Sequence, residues 1–230
     1  MVLPLAWLGF EAPDRAGWAL LLGAYLLGSV PFGLLLVRLI KGVDLRSVGS
    51  GNIGATNAMR VLGKPLGLLA FALDCLKGCV PALLAPHLAP QPAAANSLAV
   101  LAGAAAVVGH VFPIYLRFKG GKAVATGCGA ILAIDPWIFV GGGLLWLVVL
   151  KLGRMVSLAS MAMCAGFVAV ALWRGPRAGY GLEVAVGCAA LLLLVLVRHR
   201  ANIARILRGV EPRIGQRPQN SAATQEVKHG

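Results

Sequence analysis

Three short stretches hold most of the residues able to bind an anion or move a proton, and long apolar runs separate them. The first, residues 43–60, reads V-D-L-R-S-V-G-S-G-N-I-G-A-T-N-A-M-R. Gly49, Gly51 and Gly54 permit backbone conformations that other residues avoid, and successive N–H groups in such a loop form an anion-binding nest. Ser50, Asn52, Thr56 and Asn57 add short hydrogen-bonding groups. A helix beginning after the loop aims its positive end at the same place. Arg46 supplies charge, as does Arg60, one turn into that helix and beside Asn57. A solvated turn would use the same glycines and asparagines but does not call for the two arginines.

The second stretch, residues 109–126, reads G-H-V-F-P-I-Y-L-R-F-K-G-G-K-A-V-A-T. Gly120 and Gly121, flanked by Lys119 and Lys122, have the outline of a phosphate cradle, with a helix starting near Ala123 to add its dipole. The G-x-x-x-x-G-K-[ST] spacing of a nucleotide-binding loop is absent. A basic membrane anchor explains the lysines and leaves the glycine pair unexplained. The third stretch, residues 198–211, reads R-H-R-A-N-I-A-R-I-L-R-G-V-E. On a helix His199, Asn202 and either Arg205 or Ile206 share one face, and His199 and Asn202 can point together into a site; a basic helix held by anionic lipid fits the same spacing. Glu211 ends the stretch and is grouped with the substrate-binding residues.

The runs between these stretches are membrane spans by composition. Of 230 residues 59% are hydrophobic and only 13% charged, too few charges to cover a soluble surface. Mean hydropathy is +0.83. The formal charge of +13 falls between apolar runs, so it reads as membrane topology and attraction to anionic lipid or substrate, not as nucleic-acid binding. The five cysteines form no CxxC pair and are expected to be small apolar residues, with no disulfide framework and no metal site. No cleaved leader is evident, because the acidic Glu11 and Asp14 precede the first run.

A spanning helix needs about 20 apolar residues. Seven runs approach this: 17–39, 61–84, 96–112, 123–134, 136–150, 156–173 and 181–197. The fourth is short and fits a tilted span or a re-entrant helix. With the N-terminus outside, seventeen of the 21 Lys and Arg residues lie inside, three outside, and Lys77 within a span, as the positive-inside rule requires. The expected architecture is an all-α polytopic membrane protein of about seven helices with a cytoplasmic C-terminus. Residues 1–213 form one domain and 214–230 a polar, disordered tail. Asp74 and Lys77, i,i+3 within a span, are costly unless paired; they shape the bundle or join the site. His110 caps the third span or touches substrate, and Glu183 is expected to be solvated.

In this order the stretches resemble the acyl-phosphate:glycerol-3-phosphate acyltransferase (PlsY) family of bacterial inner membranes. The resemblance also covers G-S-V-P-F-G at 28–33, L-D-C-L-K-G at 73–78 and V-S-L-A-S-M at 156–161. It implies a seven-helix fold with its site at the cytoplasmic face, acyl phosphate as donor, glycerol 3-phosphate as acceptor, and lysophosphatidic acid and phosphate as products. It implies that Ser50, Arg60, Lys122, His199 and Asn202 line the substrate site. No cofactor or metal is expected, the partners are the two substrates and membrane lipid, and the chain is expected to act as a monomer. The family usually has glycine after F-K-G-G-K, and here Ala123 stands there: strained if that residue takes a positive φ, well suited if it is the first helical residue, which is the expectation. No H-x-x-x-x-D motif occurs, so the base is His199 or a phosphate oxygen of the donor. A transporter would spread polar residues through the bilayer depth, and a membrane kinase would need a nucleotide loop and an acidic metal cluster.

Overall fold

The computed structural model describes residues 8–215. Residues 1–7 and 216–230, and with them most of the expected tail including Arg217 and Lys228, lie outside the described residues. Among those described, ten α-helices account for the chain's architecture. Helix α1 (Arg15–Gly28) starts at Asp14, whose Oδ1 accepts a hydrogen bond from the Gly17 N–H at 2.8 Å. It stops before Pro31, which has no N–H to continue the ladder. Helix α2 (Phe32–Lys41) follows and ends at Gly42, φ 67°. The two helices make one apolar segment of 27 residues, so the first expected span is present but broken.

Next come α3 (Ala55–Leu62) and α4 (Lys64–Leu88), separated by Gly63 at φ 82°. The second span therefore begins after this glycine and not at Val61. Then follow α5 (Ala95–Val111), α6 (Val124–Ile134), α7 (Pro136–Gly153) and α8 (Val156–Ala178). Helix α9 (Glu183–Arg198) bends by 63° into α10 (Arg200–Leu207). Five segments are long and apolar enough to cross a bilayer, and the bent α9–α10 pair would make a sixth. Helix α6 has 11 residues, about 16 Å, roughly half the hydrocarbon thickness.

Without a hydrophobic drive between helices in lipid, close van der Waals fit must hold the bundle. Glycine supplies it. A Cβ at Gly129 of α6 would sit 1.8 Å from the Cys75 carbonyl oxygen of α4, and one at Gly78 of α4 would sit 2.1 Å from the Thr126 carbonyl oxygen of α6. Helices α1 and α5 meet the same way at Gly28 and Gly109. The outward faces stay apolar: Leu144, Leu147, Val148 and Leu152 of α7 are all exposed, as a lipid-facing helix requires.

The bundle has two differently furnished ends. At one, Asp135 caps α7 through the Trp137 N–H at 2.7 Å and pairs with Arg174 near the end of α8. At the other, Ser157 at the start of α8 bonds Glu211 at 2.6 Å. Helix α6 runs from Lys122 at this second end to Asp135 at the first.

Two details depart from expectation. Glu183 is buried, 4% exposed, because its Oε1 turns back to accept the Gly181 N–H at 3.1 Å. Ala123 is not the first helical residue; it precedes α6 in the left-handed region at φ 69° and is fully buried. Left-handed backbone costs a non-glycine residue about 1 kcal/mol, and a buried methyl returns about 0.8 kcal/mol. Ala123→Gly should therefore change unfolding free energy by less than about 1 kcal/mol. Ala123→Val, β-branched and oversized for a site with no free space, should lose about 3 kcal/mol. Unfolding of both variants in detergent checks this; equal stability would contradict it.

Candidate active site

The third stretch folds over the second. Lys122, in the turn before α6, is half-buried and donates to the Asn202 Oδ1 at 2.6 Å. The Asn202 amide in turn donates to the Glu211 Oε1 at 2.7 Å, which also accepts from the Ser157 hydroxyl at 2.6 Å. The Arg205 Nε completes the group at Glu211 Oε2, 2.7 Å away. A chain of bonds from α8 through Glu211 and α10 thus fixes the one ammonium that faces inward from the turn. Burial alone would raise the Glu211 carboxyl, but the bonds from Ser157, Asn202 and Arg205 outweigh it and hold it below its ordinary range.

Lys122 sits among like charges. Burial lowers its ammonium to about 8; Arg205, Arg60 and Arg198 push the same way, and Glu211 opposes them. Three guanidinium groups against one carboxylate is an arrangement short of negative charge. A negative charge placed there would raise the Lys122 pKa and favour its ammonium form.

His199 stands at the corner between α9 and α10, not within a helix shared with Asn202. It is 3% exposed and its Nδ1 donates to the Val195 carbonyl at 2.8 Å. A carbonyl only accepts, so the proton is on Nδ1 and the Nε2 lone pair is left available. Burial, then the Lys122 charge, depresses His199 to about 4. The ring is neutral at physiological pH.

Gly120 and Gly121 take a different role from the one their spacing suggests. Their N–H groups are engaged within the protein, Gly120 to the Val111 carbonyl at 3.1 Å and Gly121 to the His110 carbonyl at 3.0 Å. Their carbonyls accept from Arg198, at 2.8 and 3.0 Å. Glycine is required because a Cβ would collide with the His110 carbonyl at 2.2 Å from Gly120 and with the His110 ring at 2.1 Å from Gly121. The pair is a packing device that seats the turn, and Lys122 supplies the turn's half-buried charge. Lys119 is exposed.

The first stretch is built around Asn57. Its Nδ2 donates to the carbonyls of Leu45, Val48 and Asn52 at 3.1, 3.0 and 2.9 Å, and its Oδ1 accepts the Ser50 N–H at 3.0 Å. Asn57 is 1% exposed, so it holds the loop and does not itself face a ligand. Asn52 accepts the Gly54 N–H at 2.8 Å, a local turn bond. Arg46 pairs with Asp44 at 2.6 Å in the open, and that bond, with the Arg46 N–H, lowers the Asp44 carboxyl to about 2. Gly49 and Gly51 have φ of 60° and 68°, whereas Gly54 is ordinary extended backbone. Ser50 and Arg60 are left exposed. Leu116 of the second stretch packs on the apolar base of this loop, among Leu34, Leu45 and Ile53.

The structure thus brings Lys122, His199, Asn202 and Glu211 together, with Arg60 in electrostatic range. Sequence reasoning placed Arg205 on the face of His199 and Asn202 but missed Arg198 and Ser157. Arg198 was visible in the R-H-R run, while Ser157 looked like one small residue in an apolar helix.

A family described as glycerol-3-phosphate acyltransferase matches residues 18–209. A protein named glycerol-3-phosphate acyltransferase from Anaeromyxobacter dehalogenans is 43% identical over 208 residues, covering 88% of this chain and all of the relative. One of the same name from Rhodospirillum rubrum is 49% identical, covering 84% and 89%. The crystal structure of PlsY, an integral membrane glycerol 3-phosphate acyltransferase in its glycerol 3-phosphate form, is 42% identical with a TM-score of 0.79 and covers 86% of this chain and 96% of that one. The lysophosphatidic acid form gives 41% and 0.77, covering 86% and 95%.

Proposed function

The chain belongs to the glycerol-3-phosphate acyltransferase family, and from that premise we propose that it moves a fatty acyl group from acyl phosphate onto glycerol 3-phosphate, giving 1-acylglycerol 3-phosphate and phosphate. The observation that carries this reading is the Lys122 ammonium, held by Asn202 inside a cluster of guanidinium groups. Bringing two phosphorylated reactants together is the main obstacle to this reaction, and a site short of negative charge removes it.

The acceptor hydroxyl attacks the carbonyl carbon of the mixed anhydride. The carbon–oxygen bond to phosphate breaks, and the hydroxyl proton leaves. Lys122 and Arg60 hold phosphate, and the exposed Ser50 at the tip of its loop contacts the donor. His199, neutral and depressed to about 4, is a weak proton acceptor; phosphate monoesters have a second pKa of about 6. The departing phosphate takes the proton and the Nε2 of His199 positions the acceptor. The acyl tail lies among apolar helices, where Gly103 of α5, Gly127 of α6 and Gly187 of α9 leave a cavity of about 140 Å³.

The chain crosses the bacterial inner membrane seven times, α6 included, with the site end cytoplasmic and the N-terminus outside. Two features support this: the charge asymmetry of the loops, and the passage of α6 between the two ends. It acts as a monomer. Purified protein given glycerol 3-phosphate should release phosphate from acyl phosphate and show no turnover with acyl-CoA; the reverse preference overturns the donor assignment.

Lys122 also sets a pH dependence. Its pKa of about 8 lies below the ordinary lysine value, so the cation is lost as pH rises through 8. The ratio kcat/KM for glycerol 3-phosphate, which reports the free enzyme, should fall above about pH 8. His199 affects stability in the opposite direction. Its folded pKa is below the unfolded one, so the unfolded chain binds the proton first and stability drops as pH falls from 6.5 toward 4. A pH–rate profile still rising at pH 9 would contradict the Lys122 assignment.

A further inference from the structure

Beneath the Gly120 and Gly121 turn lies a polar cluster that the reaction does not use. Lys77 and Asp74, each 2% exposed, form an ion pair of 2.8 Å inside α4. The Lys77 Nζ also donates at 2.9 Å to the Val30 carbonyl, at the break between α1 and α2. It lies 5.8 Å from the Phe32 ring centroid, a cation–π distance. On α5, His110 presents its Nδ1 to the Asp74 carboxylate at 3.9 Å, and that nitrogen, buried, has no hydrogen-bond partner. The same histidine holds the turn twice, through its backbone carbonyl to the Gly121 N–H at 3.0 Å and through its ring against the Gly121 backbone.

Stability alone does not account for this cluster. A buried ion pair is often replaceable by apolar residues at no loss, and in a bilayer each charge is costly. The residues neighbouring the pair point toward the site. Gly78, next to Lys77, seats the backbone of α4 against the Thr126 carbonyl in the first turn of α6, four residues after Lys122.

We propose that Asp74, Lys77 and His110 form a positioning network that sets the Gly120 and Gly121 turn and, through it, the depth of the Lys122 ammonium. The 3.9 Å gap between His110 and Asp74 suits a bridging water, since both facing atoms are polar and buried. The network works on a side chain that the proposed reaction employs, so it rests on that reading, but it can be tested without turnover. If the turn loosens, Lys122 moves toward water and away from burial, the main cause of its lowered pKa. Its titration then moves up. The groups facing it, Glu211, Arg205, Arg60, Arg198 and His199, are all left in place.

The test uses the full chain in detergent and two variants: His110→Leu, and Asp74→Asn combined with Lys77→Met, which nearly keeps volume and removes both charges. Trace acetylation with acetic anhydride across about pH 6 to 11, read by mass spectrometry, reports the Lys122 pKa directly. The expected result is a rise of about one unit in both variants. With acyl phosphate as donor, the alkaline limb of kcat/KM should rise in parallel and the rate at neutral pH should fall roughly tenfold. A titration unchanged in folded variants overturns the network, whatever happens to the rate. So does failure of both variants to fold, which makes the cluster a folding element. A wild-type chain that titrates as expected but transfers no acyl group overturns the proposed reaction and leaves the network standing.

Discussion

Lys122→Met should lower kcat/KM for acyl transfer by roughly 10³-fold, about 4 kcal/mol of transition-state stabilisation. Methionine keeps the length and the apolar stem, so the loss is that of the charge. Lys122 is half-buried, bonded to Asn202 at 2.6 Å, and lowered to about 8 before any substrate arrives. Negative charge grows on the leaving oxygen of the donor phosphate as the anhydride opens, and a fixed ammonium in a poorly solvated place stabilises it far more than one in water. Lys122→Arg should recover no more than about tenfold, because a guanidinium fork does not fit the single Asn202 acceptor and adds bulk among three other arginines. Lys151→Met, at an exposed position late in α7, is the control for a change of net charge alone. Steady-state rates with both substrates decide the matter, and a Lys122→Met enzyme within tenfold of wild type would remove the ammonium from the mechanism.

Asn57→Leu should cost about 4 kcal/mol of stability and abolish activity with it. The leucine fills the space but leaves three carbonyls and the Ser50 N–H without the partners they now have. Each such group loses about 1 to 3 kcal/mol when it cannot reach water. The Leu45 carbonyl bond is fully buried, and the other three are partly so, which places the total below the simple sum. Asn57→Asp should be worse at neutral pH, because an oxygen replaces the amide donor in front of those carbonyls. Unfolding in detergent gives the energy, and a loss under about 1 kcal/mol would show that the loop is held by other contacts.

The sequence made much of this legible because composition and periodicity record solvent. Apolar runs gave the long helices within a few residues, though not the break at Pro31 or the short α3 and α10. Lys122, His199 and Asn202 could be named from residue type and spacing. What sequence could not show was direction. Nothing in F-K-G-G-K tells whether the glycine N–H groups face a ligand or the His110 and Val111 carbonyls, and they face the carbonyls. Asn57 and Asn52 look alike as loop amides, yet one is a buried hub and the other a local turn bond. Glu211 was grouped with substrate ligands by proximity, whereas its carboxylate is occupied by Ser157, Asn202 and Arg205. Ala123 was read as a first helical residue because a positive φ would strain it, yet it takes left-handed backbone just before α6. Glu183 was judged by its charge and its place near a helix end, while its own side chain folded back to cover it.

Glycine contacts between α4 and α6 have a mechanical consequence. With Cys75 and Thr126 carbonyls lodged where a methyl group cannot fit, the two helices cannot slide past one another and behave as one stiff girder. A bilayer thicker or thinner than the protein must then be met by tilting the whole body or deforming the surrounding lipid. The Lys122 ammonium, carried in the turn before α6, keeps its position relative to this girder as the body tilts.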